Sequence, residues 1–193
     1  MNHATALTAR LHESERTALE SHFLALVGDD RRLRFGSPIA DEGLRAYVAR
    51  IDFGRDGLFA VHDDDMRLLA VVHAACGDEI AELGLSVLPG YRGQGLGNAL
   101  FTRAVMFLRN RGAREVFVHC ISENAAMMHL ARKHDMRLVN DGSETDARLA
   151  LDPPTAQSLF TEWLHDHHAS AIHVVRQNAR FSRTLMGFFA PAR

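Results

Sequence analysis

The sequence predicts an α/β protein built on one mixed β-sheet with helices on both sides. Three observations carry that prediction. Apolar runs at Leu58 to His62, Leu68 to Ala75 and Glu79 to Leu88 follow one another with polar turns between them, the pattern of an antiparallel meander. An amphipathic stretch from about Asn98 to Arg111 is then followed by the strongly apolar run Glu115 to Ile121, so helix and strand alternate in the second half. Between the meander and that helix lies Val87-Leu88-Pro89-Gly90-Tyr91-Arg92-Gly93-Gln94-Gly95-Leu96-Gly97-Asn98, with glycine at three alternate positions.

Ala4 to Arg10 reads as a short first strand. Glu13 to Val27 reads as a helix, with Leu19, Phe23, Leu26 and Val27 at helical spacing and Gly28 just past its end. Asp29 to Gly36 reads as a charged loop around Arg31-Arg32-Leu33-Arg34-Phe35, and its arginines as a solvated face or a lip for a ligand. Asp41 to Ile51 is a second helix, with Leu44, Tyr47, Val48 and Ile51 on one face. The carboxylates Asp63-Asp64-Asp65 lack the spaced ligands of a calcium loop and form a turn. The helix after the glycine loop buries Leu100, Phe101, Ala104, Val105 and Leu108 and closes at Gly112. The continuous apolar run Glu115 to Ile121 suits a strand buried on both faces. A short helix runs from Asn124 to about His134. Two last strands, Met136 to Asn140 and Arg148 to Leu151, flank Asp141-Gly142-Ser143. Pro153-Pro154 marks a boundary between a domain of residues 1–152 and a helical extension, 153–193, with Leu159, Trp163, Ile172, Val175 and Leu185 as its apolar anchors.

Composition narrows the function classes. The chain has 193 residues, 47% hydrophobic and 24% charged, ordinary for a globular protein with a sizeable core. A net charge of −2 supplies no basic field for nucleic acid. No apolar run approaches the ~20 residues of a membrane span. Met1-Asn2-His3-Ala4 lacks the regions of a signal peptide. Cys76 and Cys120 lie far apart in apolar runs, as reduced core residues do. A cytoplasmic location follows as the expectation.

The glycine stretch points to a phosphate ligand. Without a Cβ, the backbone folds tightly and brings its N–H groups close to a ligand. The helix that follows adds unpaired N–H groups and a partial positive charge, a geometry that binds phosphate. A P-loop requires Lys-Ser/Thr after its last glycine, where this chain has Asn98-Ala99; a dinucleotide fingerprint requires a different glycine register. The pattern present is R-x-x-G-x-G, from Arg92 to Gly97, after a strand and before a helix.

That pattern resembles the pyrophosphate loop of the GNAT superfamily, the acyl-coenzyme A N-acyltransferases. The element order β-α-α-β-β-β-α-β-α-β-β matches the GNAT fold. Ala81-Glu82-Leu83-Gly84-Leu85-Ser86-Val87 looks like the family's fourth strand. Asn124 looks like the Asn that follows the fifth strand, and Asn124 through Met136 resembles the segment N-x(6)-Y-x(3)-G-F. The nearest resemblance, through Leu33-Arg34-Phe35-Gly36, Glu82 and the loop, is to the acetyltransferase domain of bacterial protein lysine acetyltransferases. It implies an N-acetyltransferase that binds acetyl-CoA as co-substrate along Leu85, Ser86 and Val87. The pyrophosphate would lie in Arg92, Gly93, Gln94, Gly95, Leu96, Gly97 and Asn98, with Asn124 also on the coenzyme. The acceptor would be a primary amine, on a protein lysine or a small molecule, attacking directly; no metal is implied. The alternative is a non-catalytic acetyl-CoA-binding sensor or regulatory module.

Such chemistry needs a base, because a lysine amine with a pKa of ~10.4 arrives protonated. Glu82 is the candidate, directly or through a water, and partial burial would help it; Glu79 is the reserve. A backbone N–H near Val87 would hold the developing oxyanion. The family's Tyr that protonates the departing thiolate falls at Ala131, and its Gly-Phe at Asp135-Met136; His129 and His134 flank the gap. An acyl-cysteine route through His119-Cys120 is disfavoured, since neighbours in a strand face opposite ways. His165, His167, His168 and His173 show no zinc pattern. The aromatic residues of the extension are expected to pack on the domain or to form a homodimer through the C-terminal helix.

Overall fold

The computed structural model describes residues 7–167. Seven strands form one sheet: β1 (Ala9–Arg10), β2 (Gly57–His62), β3 (Leu68–Cys76), β4 (Ile80–Val87), β5 (Glu115–Ile121), β6 (Arg137–Asp141) and β7 (Glu144–Ala150), in the order β1-β2-β3-β4-β5-β7-β6. All neighbours are antiparallel except β4 and β5. The helices are α1 (Arg16–Leu24), α2 (Asp29–Phe35), α3 (Asp41–Arg50), α4 (Leu96–Asn110) and α5 (Ala125–Lys133), with α6 at residues 156–167.

Two apolar layers sandwich the sheet. On one face α4 and α5 supply Leu100, Phe101, Phe107 and Met127 against Phe59, Val72, Leu83 and Val118. On the other, α1 and α3 supply Leu19, Phe23, Leu44 and Val48 against Leu58, Ala60 and Val71. Strand alternation divides the residues between layers: on β4, Ala81 and Leu83 face α4, so Glu82, Gly84 and Ser86 face the α1–α3 side.

The parallel pair opens. β4 and β5 are in register only from Ile80 to Glu82 against Glu115 to Phe117. Beyond that they part, and the cleft between them is the feature that positions the site. On its other edge β4 stays paired with β3 up to Ala70 and Val87, and Leu88 N–H continues to Leu69 O at 2.9 Å. In an antiparallel ladder alternate residues point their amides to opposite sides. With Leu88 turned toward β3, Leu85 and Val87 present their backbone to the gap.

Four expectations need correction. Residues 29–35 are the helix α2, not a loop. They carry no apolar period because tertiary contacts hold the helix. The Arg31 guanidinium donates to the carbonyls of Leu24, Leu26 and Ile39 and to Asp41, tying the end of α1 to the start of α3. Gly36, at φ 77, caps α2 with its N–H on Arg32 O. Second, β5 is buried on one face only: Val116, Val118 and Cys120 are core, whereas His119 is exposed, because α1 and α3 do not reach that far. Third, α4 begins at Leu96, two residues early, so Gly95 is its N-cap. Fourth, α6 docks by polar contacts. Glu162 is buried against Arg103 and Arg111, and Asn110 donates to Ser158 O, while Leu159, Phe160, Trp163 and Leu164 point outward. Ile172, Val175, Leu185, His168 and His173 lie outside the described residues.

Candidate active site

The glycine loop and α4 build one end of the cleft. Gly93 and Gly95 sit at φ 73 and 80, in the left-handed region that side chains disfavour. Gly97 has ordinary backbone, but a Cβ there would touch Leu85 at 3.4 Å; its glycine lets the first turn of α4 lie against β4. The first intrahelical bond runs from Ala99 N–H to Gly95 O. The N–H groups of Leu96, Gly97 and Asn98 precede it, and no side chain caps this helix. These unpaired amides at the positive end of a helix fit a pyrophosphate.

This end lines a cavity of about 630 Å³ that runs between β4 and α5 and includes Leu85, Ser86, Val87, Arg92, Gly93, Gly95, Leu96, Gly97, Asn98 and Asn124. Of the expected coenzyme residues only Gln94, exposed, lies off it. Several side chains are already committed. Ser86 is turned to the back of β4, where its hydroxyl donates to His22 Nε2 at 2.8 Å; His22 Nδ1–H donates to Leu68 O at 2.9 Å. Burial pushes the His22 imidazole down to about 4. The Arg92 guanidinium pairs with Asp30 at 2.6 Å. Asn124 caps α5 through Met127 N–H and donates to Leu33 O at 3.1 Å. With Arg32 on Glu123 at 2.7 Å, α2 is strapped across the opened strands on both sides.

A second cavity, about 190 Å³, opens through the same gap and shares Leu33, Arg34, Leu85, Asn124 and Met127 with the first. Glu82 stands in its wall, exposed rather than partly buried. Glu79, the reserve, is exposed and pairs with Arg114 at 3.4 Å. His119 faces Glu82's side of the sheet and donates from Nδ1 to Asp146 at 2.8 Å; that bond, aided by Glu144 and Glu82, pulls its pKa up.

The remaining wall was not expected. Arg34 crosses β4 at Gly84 so closely that a Cβ there would overlap the guanidinium. Its Nη2 donates to Tyr47 Oη at 3.0 Å. Tyr47 Oη lies 2.6 Å from His73 Nδ1, and His73 Nε2 lies 3.1 Å from Asp56 Oδ2. Asp56 and His73 are buried, and burial, more than the opposing Asp56 bond, lowers the His73 pKa.

Other candidates fall away. Ala131 is fully buried, and its methyl has no proton to donate. His134 is bonded to Asn98 at 3.1 Å and lies tilted against the Phe101 ring. His129 is exposed on the outer rim of the larger cavity. Cys120 is buried, its thiol pushed up to about 11 by burial, on the opposite face from His119. Among the described residues no cluster of His, Cys, Asp and Glu is arranged to hold a metal.

The comparisons with known proteins agree with this geometry. Streptothricin acetyltransferase of Streptomyces lavendulae is 31% identical over 98 residues, 51% of this chain and 47% of that protein; the match thus spans about half the length of that relative. Among solved structures, the GNAT domain of S. lividans PAT superposes with a TM-score of 0.64 at 15% identity, over 75% of this chain and 89% of that one. YncA, a putative acetyltransferase of Salmonella typhimurium solved with acetyl-CoA, gives 0.59 at 16% identity, over 77% and 95%. PaiA N-acetyltransferase of Thermoplasma acidophilum, solved with coenzyme A, gives 0.58 at 14%, over 74% and 97%. These likenesses establish the fold. A family model, the acetyltransferase (GNAT) family, matches residues 24–136, more than half of the sequence. The chain belongs to the acetyltransferase (GNAT) family.

Proposed function

We propose that this protein transfers an acetyl group from acetyl-CoA to a primary amine, on a protein lysine or a small molecule, by direct attack with both substrates bound. One observation carries the reading: two cavities meet through the gap where β4 leaves β5, one ending at the unpaired amides of α4 and the other walled by Glu82. Acetyl-CoA supplies the activated thioester carbonyl. The amides of Leu96 to Asn98 and the left-handed glycines hold its pyrophosphate. The free backbone edges of Leu85 and Val87 align the chain between phosphate and thioester, and Val87 N–H steadies the oxygen that gains charge. Glu82 takes the proton from the arriving ammonium, directly or through a water, and being exposed passes it to solvent.

Glu82→Gln tests the assignment. Calorimetry should show coenzyme A affinity within about 2-fold of wild type, while release of free thiol with streptothricin or a single-lysine peptide falls roughly 100-fold or more. Undiminished turnover removes Glu82 from the role. Coenzyme binding by the wild type with no amine acetylated favours the alternative, a sensor or regulatory module.

We also propose a homodimer through α6, supported by the outward face of Leu159, Phe160, Trp163 and Leu164, and a boundary between catalytic domain and extension at residues 152–153. Truncation after Asp152 followed by light scattering reads both; a soluble, active protein with an unchanged number of chains per particle denies the dimer. Two unpaired cysteines support a cytoplasmic location, which fractionation of cells would test. No helix among the described residues is long and apolar enough to cross a membrane.

A further inference from the structure

Acetyl transfer to an amine moves two protons. The ammonium must lose one before it can attack, and the nitrogen must lose a second as the C–N bond forms while the departing thiolate gains one. Glu82 accounts for the first. Ala131 cannot serve the second exchange, because a methyl group carries no exchangeable proton.

We infer that Tyr47 is the second proton-transfer group, backed by a relay through His73 to Asp56. This deepens the reading above and rests on it. The hydrogen bonds fix the direction of the relay. Asp56 Oδ1 already accepts from Cys76 N–H at 3.1 Å, which pins the carboxylate and aims Oδ2 at His73. A carboxylate only accepts, so His73 Nε2 carries the ring proton and Nδ1 is bare. Nδ1 then accepts the Tyr47 hydroxyl proton at 2.6 Å. Arg34 Nη2 donates to the same phenolic oxygen at 3.0 Å, from the side of the cavity junction. The oxygen is thus bonded through its proton to a base and through a lone pair to a cation, an arrangement that stabilises charge on it.

The proton count closes. As the acceptor nitrogen bonds to the acetyl carbon, its proton passes to Tyr47 Oη and the Tyr47 proton passes to His73 Nδ1. The imidazolium lies against Asp56. The departing thiolate takes a proton from Tyr47 Oη, which recovers its own from His73 Nδ1. Net, one proton moves from nitrogen to sulfur and the protein is unchanged.

Position separates this from a purely structural polar network. Tyr47 and His73 both line the cavity that holds Glu82, and the chain runs inward from that opening to a carboxylate with its side chain 5% exposed. The charged and titratable groups around it are Arg34 from α2, Glu82 from β4 and His119 and Cys120 from β5, with Asp56 behind it in contact with Arg55. The phenol itself is bonded to Arg34 and His73.

The test uses the full chain. In protein with ¹⁵N-labelled histidine, the His73 ring should show a protonated Nε2 and an accepting Nδ1 at neutral pH. Tyr47→Phe should shift the Nδ1 resonance, and Asp56→Asn should convert the ring toward the other tautomer. With acetyl-CoA and streptothricin or a single-lysine peptide, Tyr47→Phe should lower kcat roughly 100-fold with KM within about 3-fold, and His73→Gln should lower it similarly. A His73 ring protonated on Nδ1, or a Tyr47→Phe enzyme at wild-type kcat, overturns the relay. The tautomer measurement needs no acceptor. It therefore judges the relay even where neither amine is turned over, a result that counts against the transfer reading instead.

Discussion

At one end of the cleft the groups offered to a ligand are backbone amides, set by one continuous stretch from Val87 to Asn98. At the other they are side chains contributed by α2, α3, the α3–β2 turn, β3, β4 and β5. The first end works because of what its residues lack: Gly93 and Gly95 hold a left-handed backbone that other residues resist, and Gly97 lets a helix approach a strand. The second depends on what its residues carry, and Arg34, Tyr47, His73, Asp56 and His119 are each held by a partner distant in sequence. Tyr47 and His73 are 26 positions apart, His73 and Asp56 are 17. A backbone site should therefore fail when a Cβ is added. A side-chain site should fail when a neighbour shifts.

The largest effect is expected at the backbone end. Gly95→Asp forces a side chain onto φ 80 and sets a carboxylate where the pyrophosphate would lie. A loop that shifts to relieve the left-handed strain of ~1–2 kcal/mol, together with the loss of a favourable helix-end charge interaction of up to about 1 kcal/mol, weakens coenzyme A binding by up to roughly 100-fold. Calorimetry on the folded variant reads this. Unchanged affinity would mean that the loop does not hold the phosphates, and the contrast between the two ends would collapse.

Behind β4, His22 sets a condition that both ends share. Buried and bonded to Ser86 and Leu68, it has its pKa pushed down from 6.5 to about 4, first by desolvation. The sign follows from linkage: the unfolded chain takes up the proton near 6.5, the folded one only near 4. Stability is therefore intact above 6.5 and falls as pH drops toward 4, by about 2 kcal/mol at pH 5. His119, with its pKa raised by Asp146, pulls the other way. Urea unfolding at pH 7 and pH 5 should show the loss, and His22→Gln should flatten it. A wild type equally stable at both values would mean that His22 is not held neutral.

The difference between the ends also explains what the sequence made legible. The glycine loop, β4, α4 and the order of the strands are encoded by local spacing, so they are read directly; the same strand that leads into the loop puts Glu82 in the wall of the smaller cavity. α2 was missed because no apolar period marks seven residues held by Arg31 and Arg34. Tyr47 belongs by spacing to the apolar face of α3 and packs there, on Phe23 and Phe35, but its hydroxyl reaches past that layer to His73. His73 and Asp56 sat in an apolar run and a turn with no signal that folding would join them. The extension misled in the opposite sense: Leu159 and Trp163 read as anchors, yet Glu162, on the intervening face of the helix, is the buried residue.

The smallest effect tests whether the side-chain end depends on a neighbour's position. Gly84 has ordinary backbone, so Gly84→Ala adds no conformational strain. Its methyl would overlap the Arg34 guanidinium, the far end of a flexible side chain, which must swing off Tyr47 and the faces of Phe23 and Phe35. Stability should fall by roughly 1–2 kcal/mol. Coenzyme affinity should stay within about 3-fold, because the amides of α4 are untouched. The displaced guanidinium, however, no longer donates to Tyr47, and losing one charge-assisted hydrogen bond of ~1.5 kcal/mol or more lowers kcat about 10-fold. Arg34→Ala should do the same, and the double variant should be no slower than Arg34→Ala alone, since both changes remove one interaction. Additive losses would show that Gly84 acts on the site by some route other than Arg34. A Gly84→Ala enzyme at full speed would show that the acceptor end tolerates a shifted neighbour, contrary to the distinction drawn between the two ends.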